Sequence, residues 1–388
     1  MSSKVSERMS DIRSFFVMDL LARARALEAE GRSIIHMEVG EPDFATPAPI
    51  TQAGIAALKA GKTHYTPAVG LPELRERLAK FYRERLGVEV SPRRIIITPG
   101  ASGALQLALG VTINPGERVM MADPGYPCNR HFVRMFEGEA HTIPVGSDSG
   151  YQLTSEMIRH HWSQKSRAVM LASPSNPTGT VIGGDEIAAI SHFIARQNGV
   201  LMVDEIYSML TYEQLPKSLL AAAPDAFIIN SFSKYFCMTG WRLGWLIVPE
   251  EYVDAVDRLA QNIFLAAPTM AQHAALAAFD PETMEILEAR RDEFRARRDY
   301  LLPALQQLGF EIATRPEGAF YLYADCSRFT DDSHAFALDV LEKAGVAITP
   351  GCDFGDHRAG QHVRFAYTTS IEHLREGVRR LEGYLSPL

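Results

Sequence analysis

The chain has 388 residues, 46% hydrophobic and 22% charged, enough for a sizeable core and more than one domain. A net charge of −8 and the lack of any Lys/Arg run argue against a nucleic-acid partner. No apolar stretch reaches the roughly 18–20 residues of a membrane span, which argues against a membrane protein.

The N-terminus, "MSSKVSERMSDIRSFFVMDLLARARALEAEG", is interrupted by charge and lacks a signal-peptide core. Cys128, Cys237, Cys326 and Cys352 form no C-x-x-C pair and read as free thiols of a cytoplasmic protein. Residues 19–30, "DLLARARALEAE", predict a helix ended by Gly31. Pro72 opens another, with Leu74, Leu78 and Phe81 on one face and Gly87 as its stop.

A different rhythm follows. Short apolar runs recur at "RIIIT" (94–98), "RVMMA" (118–122), "AVMLA" (168–172), "VLMV" (200–203), "AFIIN" (226–230) and "LGWLIV" (243–248). Runs that are continuous rather than alternating suit strands buried on both faces, as in a parallel sheet. They predict a large α/β domain over residues 45–285. The charged helical stretch 281–308 leads into a smaller α+β domain, 286–388. This region holds "GAFYLYADC" (318–326), a helix near 334–344, "VAITPG", "HVRFAY" and a closing helix over 371–385. Residues 1–44 are expected to form an arm and helix that pack with it.

Ligands of open α/β sheets bind beyond the carboxyl ends of the strands. There the sequence delivers "PGASGAL", "DPGYP", "SPSNPTG", "DEIY" and "SFSK" in turn. Turn formation alone accounts for the Gly, Pro, Asn and Ser. It does not account for Asp204, Tyr207 and Lys234 arriving with them. "GASGAL" opens a helix, so its backbone N–H groups and Ser102 can hold a phosphate. The Walker pattern is absent, which counts against a nucleoside triphosphatase. Ser231, Ser233 and Arg242 can serve the same phosphate, and Tyr126 offers a ring for stacking. Asp204, closing an apolar strand, needs a cationic partner if buried, and a protonated pyridine nitrogen is one. A lysine in such a group suits covalent attachment to a carbonyl.

The motifs "VGEPDFATP" (39–47), "THYTPAVGLPELRERLA" (63–79), "SNPTG" (175–179), "DEIY" (204–207), "SFSK" (231–234), "MTGWRLGW" (238–245), "GAFY" (318–321) and "VRFAY" (363–367) cover essentially the whole chain. In this order they resemble the class I/II aminotransferases of pyridoxal-phosphate fold type I, among them the bacterial aspartate aminotransferase group. The resemblance implies an α/β fold with a mostly parallel seven-stranded sheet flanked by helices, plus the smaller α+β domain. It implies pyridoxal 5′-phosphate as cofactor, amino acid and 2-oxoacid substrates, and a homodimer.

Residue by residue, it implies that Lys234 attaches the cofactor and shuttles protons. Asp204 would pair with the ring nitrogen, and Tyr207 and Asn176 would bond the ring's 3′-oxygen. Tyr126 would stack on the ring. Ala101, Ser102, Ser231 and Arg242 would hold the phosphate, with Tyr65 reaching the phosphate of the neighbouring subunit; Ser233 either joins them or only satisfies backbone. Arg364 would bind the substrate α-carboxylate with Asn176 and the Gly40 backbone. Cationic neighbours such as Arg242 are expected to lower the pKa of Lys234.

Two other readings stay open. A β-elimination lyase of the same fold type shares these residues. A cofactor-sensing regulator would need an N-terminal winged-helix domain, and only about 40 residues precede "VGEPDF". Side-chain selectivity is expected from residues near Phe16–Val17, Tyr65–Thr66, Tyr126–Cys128 and Asn262–Thr269, with Phe15 and Phe16 as an apolar flank. No arginine in 262–275 offers to pair with a second substrate carboxylate.

Overall fold

A computed structural model describes residues 4–386. The helix predicted over 19–30 runs Phe16–Ala29 (α1) and buries Leu20, Ala24 and Leu27. It stops before Gly31, whose φ of +89° is costly for any residue with a Cβ. Next come α2 (Ala48–Lys59) and α3 (Pro72–Phe81). The predicted face of α3 is buried through Leu74, Leu78 and Phe81, and a π turn carries the chain on to Gly87. Then follow α4 (Gly100–Thr112) and α5 (Cys128–Met135).

The strands in chain order begin with β1 (Ile35–His36), β2 (Ile95–Thr98), β3 (Arg118–Asp123), β4 (Glu139–Pro144), β5 (Ser166–Ala172) and β6 (Val200–Asp204). They continue with β7 (Phe227–Ser231), β8 (Gly244–Ile247), β9 (Tyr321–Asp325), β10 (Val346–Ala347), β11 (Thr349–Pro350) and β12 (His362–Ala366). Seven of them form one sheet in the order β2-β8-β7-β6-β5-β3-β4. Only β8 runs against the others.

Successive residues of these strands enter different cores. Ile95, Ile97, Val169, Leu201, Val203 and Ile228 join one buried cluster. Ile96, Ala168, Met170, Val200, Met202 and Ile229 join the other. With both faces covered, every position must be apolar, which is why the runs are continuous. β4 is the strand that pattern misses. It is an edge strand, mostly exposed, and its sequence "EAHTIP" is accordingly polar.

The 28-residue helix Pro281–Leu308 leads to a second, antiparallel sheet in the order β11-β12-β9. This helix is continuous through residue 285, so the domain boundary expected there falls inside it. β1 pairs in parallel with β10, which ties the N-terminal region to the C-terminal one. Among the described residues, no helix is long and apolar enough to cross a membrane.

Candidate active site

The carboxyl edge of the large sheet collects the predicted clusters. β2 leads into α4, β3 into the loop with Tyr126, β5 into Asn176, β6 ends at Asp204 and β7 leads to Lys234. β8 is antiparallel, so its start rather than its end lies at this edge, and Arg242 lies two residues before it. One cavity of about 370 Å³ is lined by Gly40, Ala101, Ser102, Tyr126, Asn176, Asp204, Tyr207, Ser231, Ser233, Lys234, Arg242 and Arg364. Of the cofactor- and substrate-binding residues expected from the sequence, Tyr65 alone lies outside it. That side chain is 81% exposed, on the loop between α2 and α3.

Close backbone approach shapes one end of the cavity. A Cβ on Gly100 would meet Arg242 Nη2 at 2.5 Å. A Cβ on Gly244 would lie 2.7 Å from the Gly100 carbonyl carbon and 2.9 Å from the Ala101 nitrogen. Glycine at both positions lets the first turn of α4 sit against β8 and the Arg242 guanidinium. Arg242 itself adopts φ +51° and donates from Nη1 to the Thr239 carbonyl (2.9 Å). The Ser231 hydroxyl donates to Ser233 Oγ (2.9 Å) and the Leu243 carbonyl (3.1 Å). A helix N-terminus, two hydroxyls and a guanidinium form a donor set suited to a phosphate dianion.

The middle of the cavity holds the titratable groups. The Lys234 amine donates to the Gly40 carbonyl (2.6 Å), and its pKa is lowered to about 8. Burial is the largest cause. Arg364 and Arg242 lower it further, while Glu41 and Asp204 oppose. Cationic neighbours do lower it as expected, but desolvation of the ammonium, which the sequence reading did not include, comes first. Asp204 is pushed up to about 6, again chiefly by burial, and is partly relieved by the Ile206 N–H (3.0 Å) and by Lys234. A protonated ring nitrogen would give this carboxylate the partner its burial calls for. The hydroxyls of Tyr207 and Tyr321 are 2.7 Å apart, both buried. Tyr126 sits at the cavity wall, its hydroxyl accepting from Cys128 Sγ (3.2 Å).

Arg364 closes the far side. It is buried on β12, stacked between Tyr321 (4.2 Å to the ring centre) and Phe354 (4.9 Å). Nη1 donates to Asn176 Oδ1 (2.9 Å), and Nη2 donates to the Glu38 carbonyl (2.5 Å) and Thr349 Oγ1 (3.2 Å). Its buried Nε has no acceptor among the described residues. A guanidinium fixed by stacking and by neutral acceptors keeps its charge for an anion.

Several residues of this site escaped the sequence reading: Tyr321, Thr349, Glu38, Asp353 and Phe354. "GAFY" marks Tyr321 as part of a motif, but nothing local shows that its ring underlies Arg364. The selectivity segments divide as well. Phe15 and Val17 line the cavity, whereas Phe16 turns away onto His334, with ring centres 4.7 Å apart. Neither Tyr65–Thr66 nor Asn262–Thr269 lines the cavity of the single chain.

Known proteins resemble this chain in sequence and fold. The family model for aminotransferase class I and II matches residues 32–381. A (5-formylfuran-3-yl)methyl phosphate transaminase of Methanocaldococcus jannaschii is 38% identical, covering 98% of this chain and 100% of its own. A valine–pyruvate aminotransferase of Mycobacterium tuberculosis is 38% identical over 99% of both chains. The aspartate aminotransferase from Thermus thermophilus, solved with maleate, superposes with a TM-score of 0.92 at 34% identity, covering 98% of this chain and 99% of that one. With a family match across most of its length and a donor set that fits the cofactor, this chain belongs to the class I and II aminotransferases and is a pyridoxal-phosphate-dependent transaminase.

Proposed function

We propose that Lys234, Asp204 and Arg364 are the working groups of this transaminase, which moves the amino group of an L-amino acid to a 2-oxoacid in two half-reactions. The observation that carries this reading is their meeting in one cavity with the phosphate-suited end of α4. When bound, pyridoxal phosphate supplies the carbonyl that takes up the amino group and the ring that draws electrons from the substrate Cα. The chain's own residues do the rest. Arg364 holds the α-carboxylate, its free Nε and its stacking on Tyr321 and Phe354 fixing the angle. The Lys234 amine, lowered to about 8, would be neutral often enough near neutral pH to take a proton from the substrate Cα and hold it for return. Asp204 holds a proton on the ring nitrogen. Tyr207, oriented by Tyr321, donates to the ring's 3′-oxygen, with Asn176 beside it. Tyr126 covers the ring face. Ala101, Ser102, Ser231, Ser233 and Arg242 hold the phosphate, and Gly40 offers its backbone to the substrate.

Tyr65 has a place in a homodimer. Its phenol is 81% exposed, yet its loop is pinned: Thr269 Oγ1 donates to the His64 carbonyl (2.7 Å) and Gln272 Nε2 to Thr66 Oγ1 (3.0 Å). A fixed loop presenting an unpacked aromatic suits delivery of that hydroxyl to a partner's phosphate. Four free cysteines support a cytoplasmic location.

The decisive experiment is borohydride reduction of the holoenzyme followed by peptide mapping. The pyridoxyl label belongs on Lys234, and Lys234→Ala should bind cofactor yet lose turnover by several orders of magnitude. A label on another lysine would overturn the assignment. Given an amino acid without an acceptor, the enzyme should stop after one equivalent. Sustained ammonia release from a cysteine conjugate would favour the lyase chemistry instead.

A further inference from the structure

The substrate side chain must be housed somewhere, and part of the cavity wall is built by the first turns of α1 and the residue before it. Phe15, Val17, Met18 and Leu21 line it, all apolar. This wall is held from a distance. Phe15, the residue preceding the helix, has no side-chain acceptor, so the first N–H groups of α1 need one from elsewhere. Asp353 supplies it: Oδ1 accepts from the Phe16 N–H (2.8 Å) and Oδ2 from the Val17 N–H (2.9 Å), across more than 330 residues of sequence. Asp353 is only 4% exposed. Its own carbonyl accepts from Arg130 Nη2 on α5 (2.8 Å), and the next residue, Phe354, stacks on Arg364. One carboxylate thus joins the α1 wall to the turn that supports the α-carboxylate site.

Charge points the same way. The cations lining the cavity are Lys234, Arg242 and Arg364, and the proposed function assigns all three. The remaining charged groups there, Glu38, Glu41, Asp204 and Asp353, are acidic. A carboxylate on the substrate side chain would meet an apolar wall and the Asp353 carboxylate, with no further cation among the described lining residues. Burying a charge without a partner is strongly unfavourable, whereas an apolar side chain gains from the same wall.

We infer that Asp353 is a positioning residue that clamps the first turn of α1 over the substrate side-chain compartment, and that the enzyme thereby prefers amino acids with large apolar side chains over aspartate and glutamate. The inference rests on the assignment of Arg364 to the α-carboxylate.

The test compares wild type, Asp353→Asn and Leu21→Ala as holoenzymes. The single-turnover amino half-reaction is followed with phenylalanine, leucine, alanine and aspartate, and backbone hydrogen exchange is measured over residues 15–21. Wild type should favour phenylalanine or leucine over aspartate by at least about 10-fold in kcat/KM. Asparagine offers one acceptor oxygen in place of two and no charge. Asp353→Asn should therefore speed exchange at Phe16 or Val17 and lower the phenylalanine-to-alanine ratio about 10-fold, mainly through KM. Leu21→Ala should lower that ratio while leaving exchange at Phe16 and Val17 slow. A wild type that prefers aspartate or glutamate overturns the inference, as would a cation supplied by a second subunit. So does an Asp353→Asn enzyme that loses all four substrates in equal proportion with unchanged exchange. Failure of the half-reaction with every amino acid would instead defeat the proposed function itself, while the exchange data would still report on the clamp.

Discussion

Glu205 shows what burial does to a single carboxyl beside the site. It follows Asp204 and is fully buried, accepting from the Ser218 hydroxyl (3.0 Å) and the Leu219 N–H (2.6 Å). Its Oε2 has no partner among the described residues. Burial, with Asp204 adding to it, pushes its pKa up to about 8 from an ordinary 4.5. The folded state therefore holds a proton that the unfolded state releases at much lower pH. Wild type loses stability relative to a Glu205→Gln variant as pH rises from 4.5 to about 8, and the gap is constant above that. Urea melts of the cofactor-free proteins at pH 5, 7 and 9 should show the difference growing in favour of glutamine. A gap independent of pH would mean that Glu205 is ionised in the fold. The same physics, with the opposite sign for an amine, lowers Lys234. At this scale residue types were legible in the sequence, but the leading cause of the Lys234 shift was not, because desolvation is a property of the packed surroundings.

Among elements, the contact of β8 with α4 decides whether the phosphate-suited end exists. Gly244 lies beside the Gly100 carbonyl carbon and the Ala101 nitrogen, leaving no room for a methyl group. Both neighbours are backbone and cannot swing aside. Gly244→Ala should displace the first turn of α4 and weaken cofactor affinity by at least about 10-fold, equivalent to about 1.4 kcal/mol. Equilibrium titration of the cofactor-free variant measures this directly, with unchanged affinity arguing against that end as the phosphate site. The strand pattern located six of the seven strands of the large sheet, because burial on both faces demands unbroken apolar runs. It missed β4, where an edge position relaxes that demand, and it gave no sign that β8 runs antiparallel.

At the scale of the molecule, the exposed Tyr65 makes the homodimer testable by complementation. Tyr65→Ala alone should lose about 10- to 100-fold in activity or cofactor affinity, the worth of a hydroxyl donated to a charged phosphate. Lys234→Ala alone should be nearly inactive. After subunit exchange between the two, a heterodimer holds one site with intact Lys234 and with Tyr65 from the other subunit. Activity should rise above the mean of the parents, and a mixture assayed before exchange should show only the mean. Absence of any gain after verified exchange would assign Tyr65 to its own subunit.

The sequence by itself determined which chemistry is available and on which edge of the sheet it gathers. Lys234, Asp204 and the turn opening α4 each follow a strand whose apolar run marks its end, and local patterning is enough to find such positions. Only the tertiary structure decided how those groups are tuned and what surrounds them. Tyr321 under Arg364 depends on the pairing of β9 with β12, while the Glu38 carbonyl against that guanidinium and Asp353 on the first turn of α1 join segments hundreds of residues apart. Contacts of that kind leave no periodicity or spacing in the chain. They arise when folding brings the elements together and excludes water, and that exclusion lowers the pKa of Lys234 and raises that of Asp204.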